Sequence, residues 1–258
     1  MGDREEDKIK KTEEKEEENE SENKDKEECK DEEKEGEEDY VEDVSLLFPP
    51  PEYEEEEYHF AGGTQRVLAL PRQFGQIVIG EIVWRGATVL CEWLEGRVSC
   101  GGEPPFAVAG SRVAELGAGC GLCGLVCAQL GAARVLLTDY EPHVLALLAR
   151  NAARNGLDAA AAVRALDWLR PLPPDLAGAF TAVVGSDVVY CRALCPGLFA
   201  AAAHLLAPGG VFAMVNGRAR FAKAADLART AAADAGLRLV SETAVDGGWQ
   251  ILSKYIRV

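Results

Sequence analysis

The stretch that decides the fold runs from Arg112 to Asp139, RVAELGAGCGLCGLVCAQLGAARVLLTD. It opens on a short apolar strand, Val113 to Leu116, and breaks into glycines at Gly117, Gly119 and Gly121. A helical pattern follows from Leu122 to Leu130, Gly131 stops it, and a second strand, Val135 to Leu137, leads into Asp139. Strand, glycine turn, helix and strand make the unit of an α/β fold that holds a nucleotide. Glycine lets the chain turn sharply and lets a ligand approach the backbone where a Cβ would collide. Asp139, just past the second strand, stands where a ribose diol would be held.

Strand and helix keep alternating downstream. Glu141 to Asn155 reads as a helix with Pro142 in its first turn and Gly156 at its end. Val163 to Leu166 is a third strand, finishing in Asp167 and Trp168, and Phe180 to Val184 a fourth, finishing in Gly185, Ser186 and Asp187. A helix over Cys195 to Leu206, a Pro208-Gly209-Gly210 turn and a fifth strand, Val211 to Val215, come next. A helix from Phe221 to Ala235 precedes two last strands, Leu237 to Thr243 and Trp249 to Val258. Asp246-Gly247-Gly248 between them predicts an antiparallel hairpin. The sum is a Rossmann-like α/β fold, a seven-stranded, mostly parallel sheet with helices on both faces. Gly117, Asp139, Asp167 and Asp187 each follow the carboxyl end of one of the first four strands, the edge at which such sheets bind ligands.

Upstream, alternation around Val67 to Leu70 and again around Ile77 to Ile82 suggests a hairpin of two short strands. Gly86 to Leu94 is helical in pattern with Trp84 just ahead of it, and Cys100 to Gly110 reads as a Gly/Pro loop. The formal charge of −16 is unevenly spread. Residues up to Glu57 hold 28 acidic and 9 basic side chains, whereas the rest holds 15 and 18. The first 57 residues therefore read as an acidic, disordered tail and linker, because they cannot bury enough apolar surface to offset ordering, and residues 58–258 read as one globular domain.

Among the function classes, nucleic acid is disfavoured as a partner, since the tail repels phosphate and the domain carries no basic stripe. No apolar run reaches the roughly 18 residues of a membrane helix, and no signal or transit peptide is legible, so a soluble, cytoplasmic protein is expected, with a nuclear pool compatible. Cys120 and Cys123 form a C-x-x-C, yet no second pair completes a zinc site, and buried, chemically quiet thiols are expected with no metal.

GCGLCG from Gly119 satisfies the dinucleotide pattern G-x-G-x-x-G, a weak signal alone. Against a dinucleotide stands Glu115, immediately ahead of the turn, where a carboxylate would be unfavourable beside a pyrophosphate. It suits a ligand with an ammonium and no phosphate, such as S-adenosylmethionine. The stretch ELGAGCG resembles motif I of the seven-strand S-adenosylmethionine-dependent methyltransferases. Asp187-Val188-Val189-Tyr190 is similar to the D-x-x-Y of the family-16 protein-lysine methyltransferases, a group acting on chaperones, elongation factors and similar proteins. Leu166-Asp167-Trp168 resembles that group's adenine-side L-D-W, and Trp84 with GATVLCEWL its upstream W-x-G-A-x-x-L-x-x-x-L stretch. The resemblance covers Gln76 to Val258.

It implies roles for particular residues. Gly117, Ala118 and Gly119 would hold the methionine part beside Glu115, Asp139 the ribose hydroxyls, and Asp167 and Trp168 the adenine. Ser186 would line the pocket and Trp84 close it. Asp187 would accept a hydrogen bond from the target amine, and Tyr190, one helical turn on, would offer its ring or hydroxyl. The implied activity is methyl transfer from S-adenosylmethionine to a lysine of a protein, such as a chaperone or translation factor, by a monomer. A histidine or small-molecule amine as acceptor, or cofactor binding without turnover, remain open alternatives. A nicotinamide-dependent oxidoreductase is disfavoured by Glu115.

Overall fold

The computed structural model describes residues 52–60, 62–71, 79–98 and 104–258. The acidic tail as far as residue 51, the strand expected around Ile77 and the start of the Cys100 to Gly110 loop lie outside these residues. In chain order the described strands and helices are β1 (Glu54–Phe60), β2 (Gly63–Ala69), α1 (Arg85–Leu94), β3 (Arg112–Leu116), α2 (Leu122–Gln129), β4 (Arg134–Asp139), α3 (Pro142–Arg154), β5 (Ala161–Ala165), β6 (Phe180–Ser186), α4 (Cys195–Leu205), β7 (Leu206–Gly217), α5 (Arg218–Phe221), α6 (Ala225–Asp234), β8 (Leu237–Val245) and β9 (Gln250–Arg257).

Seven strands form one sheet in the order β5-β4-β3-β6-β7-β9-β8. Pairing is parallel through β7, and β9 runs antiparallel between β7 and β8. The chain steps outward from β3 to β5, then returns to the other side of β3 with β6. That reversal opens a crevice at the carboxyl ends of β3, β4 and β6, the place such sheets use for ligands.

Period-two alternation assigns each strand residue to a face. Val113, Val135, Leu137, Val184 and Val215 pack under α1, α2 and α3, while Ala114, Leu136, Val183, Phe212 and Met214 pack under α4 and α6. On the second face Phe199, Phe212 and Tyr255 form an aromatic knot with ring centroids 5.4–6.1 Å apart. No helix among the described residues is long and apolar enough to cross a membrane. The C-x-x-C cysteines, with Cys91 and Cys127, are buried, and their surroundings push every one of these thiols up.

The upstream hairpin exists in a different register from the sequence reading. It pairs β1 with β2 (Glu57 with Arg66), and Ile79 to Glu81 form a single helical turn instead of a strand. β1 begins inside the stretch read as linker, because Tyr58 and Phe60 give its glutamates one half-buried face. The helix expected over Phe221 to Ala235 is broken into α5 and α6 around Ala222 to Ala224.

The hairpin is fastened through its outer edge by two asparagines one turn apart, Asn151 on α3 and Asn155 at the cap that ends it. Asn155 accepts from the Arg66 N–H (2.8 Å) and donates to the Arg66 carbonyl (2.8 Å). Asn151, fully buried, accepts from the Leu68 N–H (2.8 Å) and donates to the Leu68 and Cys120 carbonyls (3.2 and 2.9 Å). Two side chains thus replace the missing neighbour strand, and Asn151 ties the hairpin to the glycine turn. Asn151→Leu, which keeps the volume and strands three backbone groups, should cost about 2–4 kcal/mol in urea unfolding. Asn155→Ala, at a half-buried position, should cost less.

Candidate active site

Leaving β3, the chain turns through Gly117 (φ 60°) and Gly119 (φ 55°), a left-handed region that L side chains rarely adopt. A Cβ on Gly117 would press the Trp168 ring at 3.3 Å, and one on Gly119 would meet the Gly80 carbonyl oxygen at 2.9 Å. The turn therefore has the Ile79 to Glu81 segment against one side and Trp168 against the other. Asp139 holds it: one carboxylate oxygen accepts from the Gly119 N–H (3.1 Å), the other from the Tyr140 N–H (2.8 Å).

Glu115 lies beneath the turn. It does not line the cavity, which corrects the expectation of direct cofactor contact. Its side chain, 1% exposed, accepts from the N–H of Gly124 in the first turn of α2 (2.7 Å). A helix's first N–H groups lack partners within the helix and bind anions well. Gly121, at the cap position of α2, has no side chain to bond them, so Glu115 supplies an acceptor from inside the sheet. Gly124 is required there, since its Cβ would lie 2.1 Å from the Leu137 side chain and 2.8 Å from the carboxylate. Burial raises the Glu115 carboxyl to about 7, against the lowering effect of the Gly124 and Cys123 N–H groups.

Above the turn is a cavity of about 540 Å³, within the range of about 300–1,000 Å³ of small-molecule sites. It brings together the other ten predicted residues: Trp84, Gly117, Ala118, Gly119, Asp139, Asp167, Trp168, Ser186, Asp187 and Tyr190. Asp167 accepts from the Leu169 N–H (2.8 Å), shaping the loop that presents the Trp168 ring. Trp84 precedes α1, and its indole N–H donates to the Ile79 carbonyl (2.9 Å).

Asp187 is more constrained than a strand-end acid needs to be. It adopts a left-handed conformation (φ 52°), rare for a residue other than glycine. One carboxylate oxygen accepts from the Gly86 N–H at the start of α1 (3.1 Å), the other from the Gly217 N–H at the end of β7 (2.8 Å). Tyr190 is not one helical turn further on. Residues 188–191 are irregular, and their path is set by the Val189 N–H donating to buried Asn216 (2.9 Å). Tyr190 is 40% exposed at the cavity mouth, and partial burial pushes its phenol up.

Sequence reasoning missed Tyr140, Asn216 and Arg220. Tyr140 and Arg220 line the cavity, and Asn216 holds the Tyr190 loop. Asn216 and Arg220 come from the carboxyl end of β7, the fifth strand of the parallel set. The same strand-end rule, carried one strand further, points there.

These residues match a known family: lysine methyltransferase, over residues 64–226. The chain belongs to the lysine methyltransferase family. A protein N-lysine methyltransferase METTL21A from Danio rerio is 34% identical over 158 residues, 60% of this chain and 67% of that protein. The EEF1A lysine methyltransferase 3 of Xenopus tropicalis is 30% identical over 171 residues, 64% of this chain and 69% of that one. Among solved structures, a geranyl diphosphate methyltransferase in complex with SAM superposes with a TM-score of 0.51 at 17% identity, covering 67% of this chain and 84% of that one. An S-adenosylmethionine-dependent methyltransferase from Mesorhizobium loti gives 0.50 at 17% identity over 65% and 98%. At such identity these two likenesses speak for the fold alone.

This member of the family is an N-methyltransferase whose cofactor is S-adenosylmethionine. The residues fit that group. The two glycines leave space a Cβ would fill, Trp168 offers an aromatic wall, and Glu115 already occupies an N–H in the first turn of α2, where a dinucleotide's pyrophosphate would otherwise sit.

A carboxyl whose folded pKa exceeds its unfolded one binds its proton more tightly in the native state, so stability falls as pH rises between the two. For Glu115 that window runs from 4.5 to about 7. Glu115→Gln removes the titration and keeps an acceptor for Gly124. Urea unfolding at pH 4.5 and 7.5, without cofactor, should show the wild-type chain losing about 3 kcal/mol relative to the variant. Equal pH slopes would mean that the Glu115 carboxyl titrates in the folded chain as it does in the unfolded one.

Proposed function

We propose that Asp187 and Tyr190 receive and aim the acceptor amine, while Gly117 to Gly119, Asp139, Asp167, Trp168, Ser186 and Trp84 hold the cofactor, with Glu115 supporting the turn from below. The chain is a protein-lysine N-methyltransferase, and the observation that carries the residue roles is the single cavity shared by motif I and Asp187-Val188-Val189-Tyr190. Bound S-adenosylmethionine supplies a methyl carbon on a positively charged sulfur. The rest falls to the protein.

A lysine near pH 7.4 is neutral in only about one part in a thousand, a deficit of about 4 kcal/mol. Asp187 and Tyr190 both favour the ammonium over the neutral amine, so they bind and orient better than they deprotonate. The two backbone N–H groups on Asp187 fix its carboxylate, and each oxygen keeps a lone pair for an amine. Catalysis then rests on alignment, with the proton leaving to water.

The substrate is a protein, and we propose a chaperone or translation factor, the latter named by the Xenopus tropicalis relative. A cytoplasmic site of action follows from such a substrate. A monomer suffices, because one chain contributes every group named here.

Isotopically labelled S-adenosylmethionine added to a cell extract should mark discrete proteins at lysine with the wild-type chain. Asp187→Ala should lower labelling about 10²-fold or more, with S-adenosylhomocysteine binding retained in calorimetry. Wild-type rates should climb with pH toward about 9; a flat profile with chemistry rate-limiting would remove the neutral-amine requirement. Gly86→Ala offers a test without loss of charge. Its new Cβ would lie 2.5 Å from the Asp187 carboxylate and displace it, so transfer should fall about 10²-fold while the cofactor still binds.

A further inference from the structure

We propose that Arg220 selects the acceptor, its guanidinium reading an acidic side chain that neighbours the target lysine. The inference deepens the lysine-methyltransferase reading and rests on it. The walls of the cavity are rich in carboxylates: Asp139, Glu141, Asp167 and Asp187. Against them stands one Arg or Lys among the described residues, Arg220, exposed at the mouth just beyond β7.

Arg220 is not spent on an ion pair among the described residues. Its neighbours are spent: Arg85 is held by Asp246 (2.9 Å), Arg192 by Asp226 (3.1 Å), and Arg218 donates to the Gly248 carbonyl (3.4 Å). Nor does Asp187 form an ion pair with it among the described residues, its carboxylate being turned to the Gly86 and Gly217 N–H groups. Arg220 instead stacks on Trp84, its Cζ 4.3 Å from the ring centroid. Trp84 is itself pinned to the Ile79 carbonyl.

Stacking occupies the face of a guanidinium and leaves the N–H fork at its edge available for a carboxylate. The stack also fixes the group before any partner arrives, so little ordering entropy remains to be lost on binding. A target lysine entering beside a fixed cation meets like-charge repulsion. An Asp or Glu next to that lysine removes the repulsion and gains a charge-assisted pair, which turns Arg220 into a filter for acid-flanked lysines. A carboxylate has a second source here, the amino-acid end of the cofactor, and the test separates the two.

The probe is the full chain with labelled S-adenosylmethionine in undenatured cell extract, labelled lysines being mapped by mass spectrometry. Wild-type sites should be enriched in Asp or Glu beside the lysine. Arg220→Glu should lower labelling of those sites about tenfold or more and shift the remainder toward Lys- or Arg-flanked sites, while S-adenosylhomocysteine affinity stays within about threefold. Arg220→Lys, keeping charge without the fork, should retain the acidic preference at reduced rate. The same flanking preference in wild type and Arg220→Glu overturns the proposal. Loss of cofactor affinity in step with activity also overturns it, and assigns Arg220 to the cofactor's carboxylate. An absence of labelled lysine with the wild-type chain refutes lysine transfer itself, and the inference falls with it.

Discussion

The site depends on one bridging carboxylate. Asp187 joins the first turn of α1 to the end of β7 through two backbone N–H groups, across 101 and 30 residues of sequence. Trp84 stands at the start of α1 and Arg220 just beyond β7, so the bridge fixes the separation of the two residues that stack at the cavity mouth. The left-handed backbone at Asp187 has a cost of order 1–3 kcal/mol that the surrounding bonds must offset. A charge-assisted bond to each oxygen is a sufficient source.

The same device recurs along the sheet edge. Glu115 satisfies an N–H in the first turn of α2 and Asp139 those of Gly119 and Tyr140. Each strand-end acid is first a ligand of the backbone, which keeps three glycine-rich or irregular segments in one conformation. This has a consequence for ligand choice. The crevice is lined by fixed negative charge with its helix N–H group already taken, an environment hostile to phosphate and hospitable to a cofactor carrying a sulfonium and an ammonium. Arg220 is the counterweight on the acceptor side.

The legibility of the fold follows from the kind of signal each element gives. Strands buried on both faces read as short apolar runs, such as Val113 to Leu116 and Phe180 to Val184, and glycines end them where the backbone must turn. The β1–β2 pairing escaped because half-buried Tyr58 and Phe60 alternate with glutamates in a stretch whose charge dominates its composition. What pins that hairpin, Asn151 and Asn155, looks like ordinary helix surface until the strand edge is laid against it. Tyr190 was found by motif and misjudged in geometry, because a left-handed Asp187 breaks the helical path that the spacing suggested. Glu115 was singled out for the right property, a charge incompatible with pyrophosphate, and given the wrong contact.

The sequence alone determined the alternation of strand and helix, the edge at which a ligand sits, the cofactor class and ten of the residues around the cavity. The alternation and the edge are local properties, read from periodicity, glycines and acids at strand ends, whereas residues such as Trp84, Trp168, Ser186 and Tyr190 came through resemblance to the family's motifs. Tertiary structure alone decided which backbone groups those acids hold, that Glu115 faces inward, and that Arg220 meets Trp84 across more than a hundred residues of chain. Such pairings arise where distant segments supply each other's missing hydrogen-bond or charge partner. No window of sequence contains both halves of that exchange.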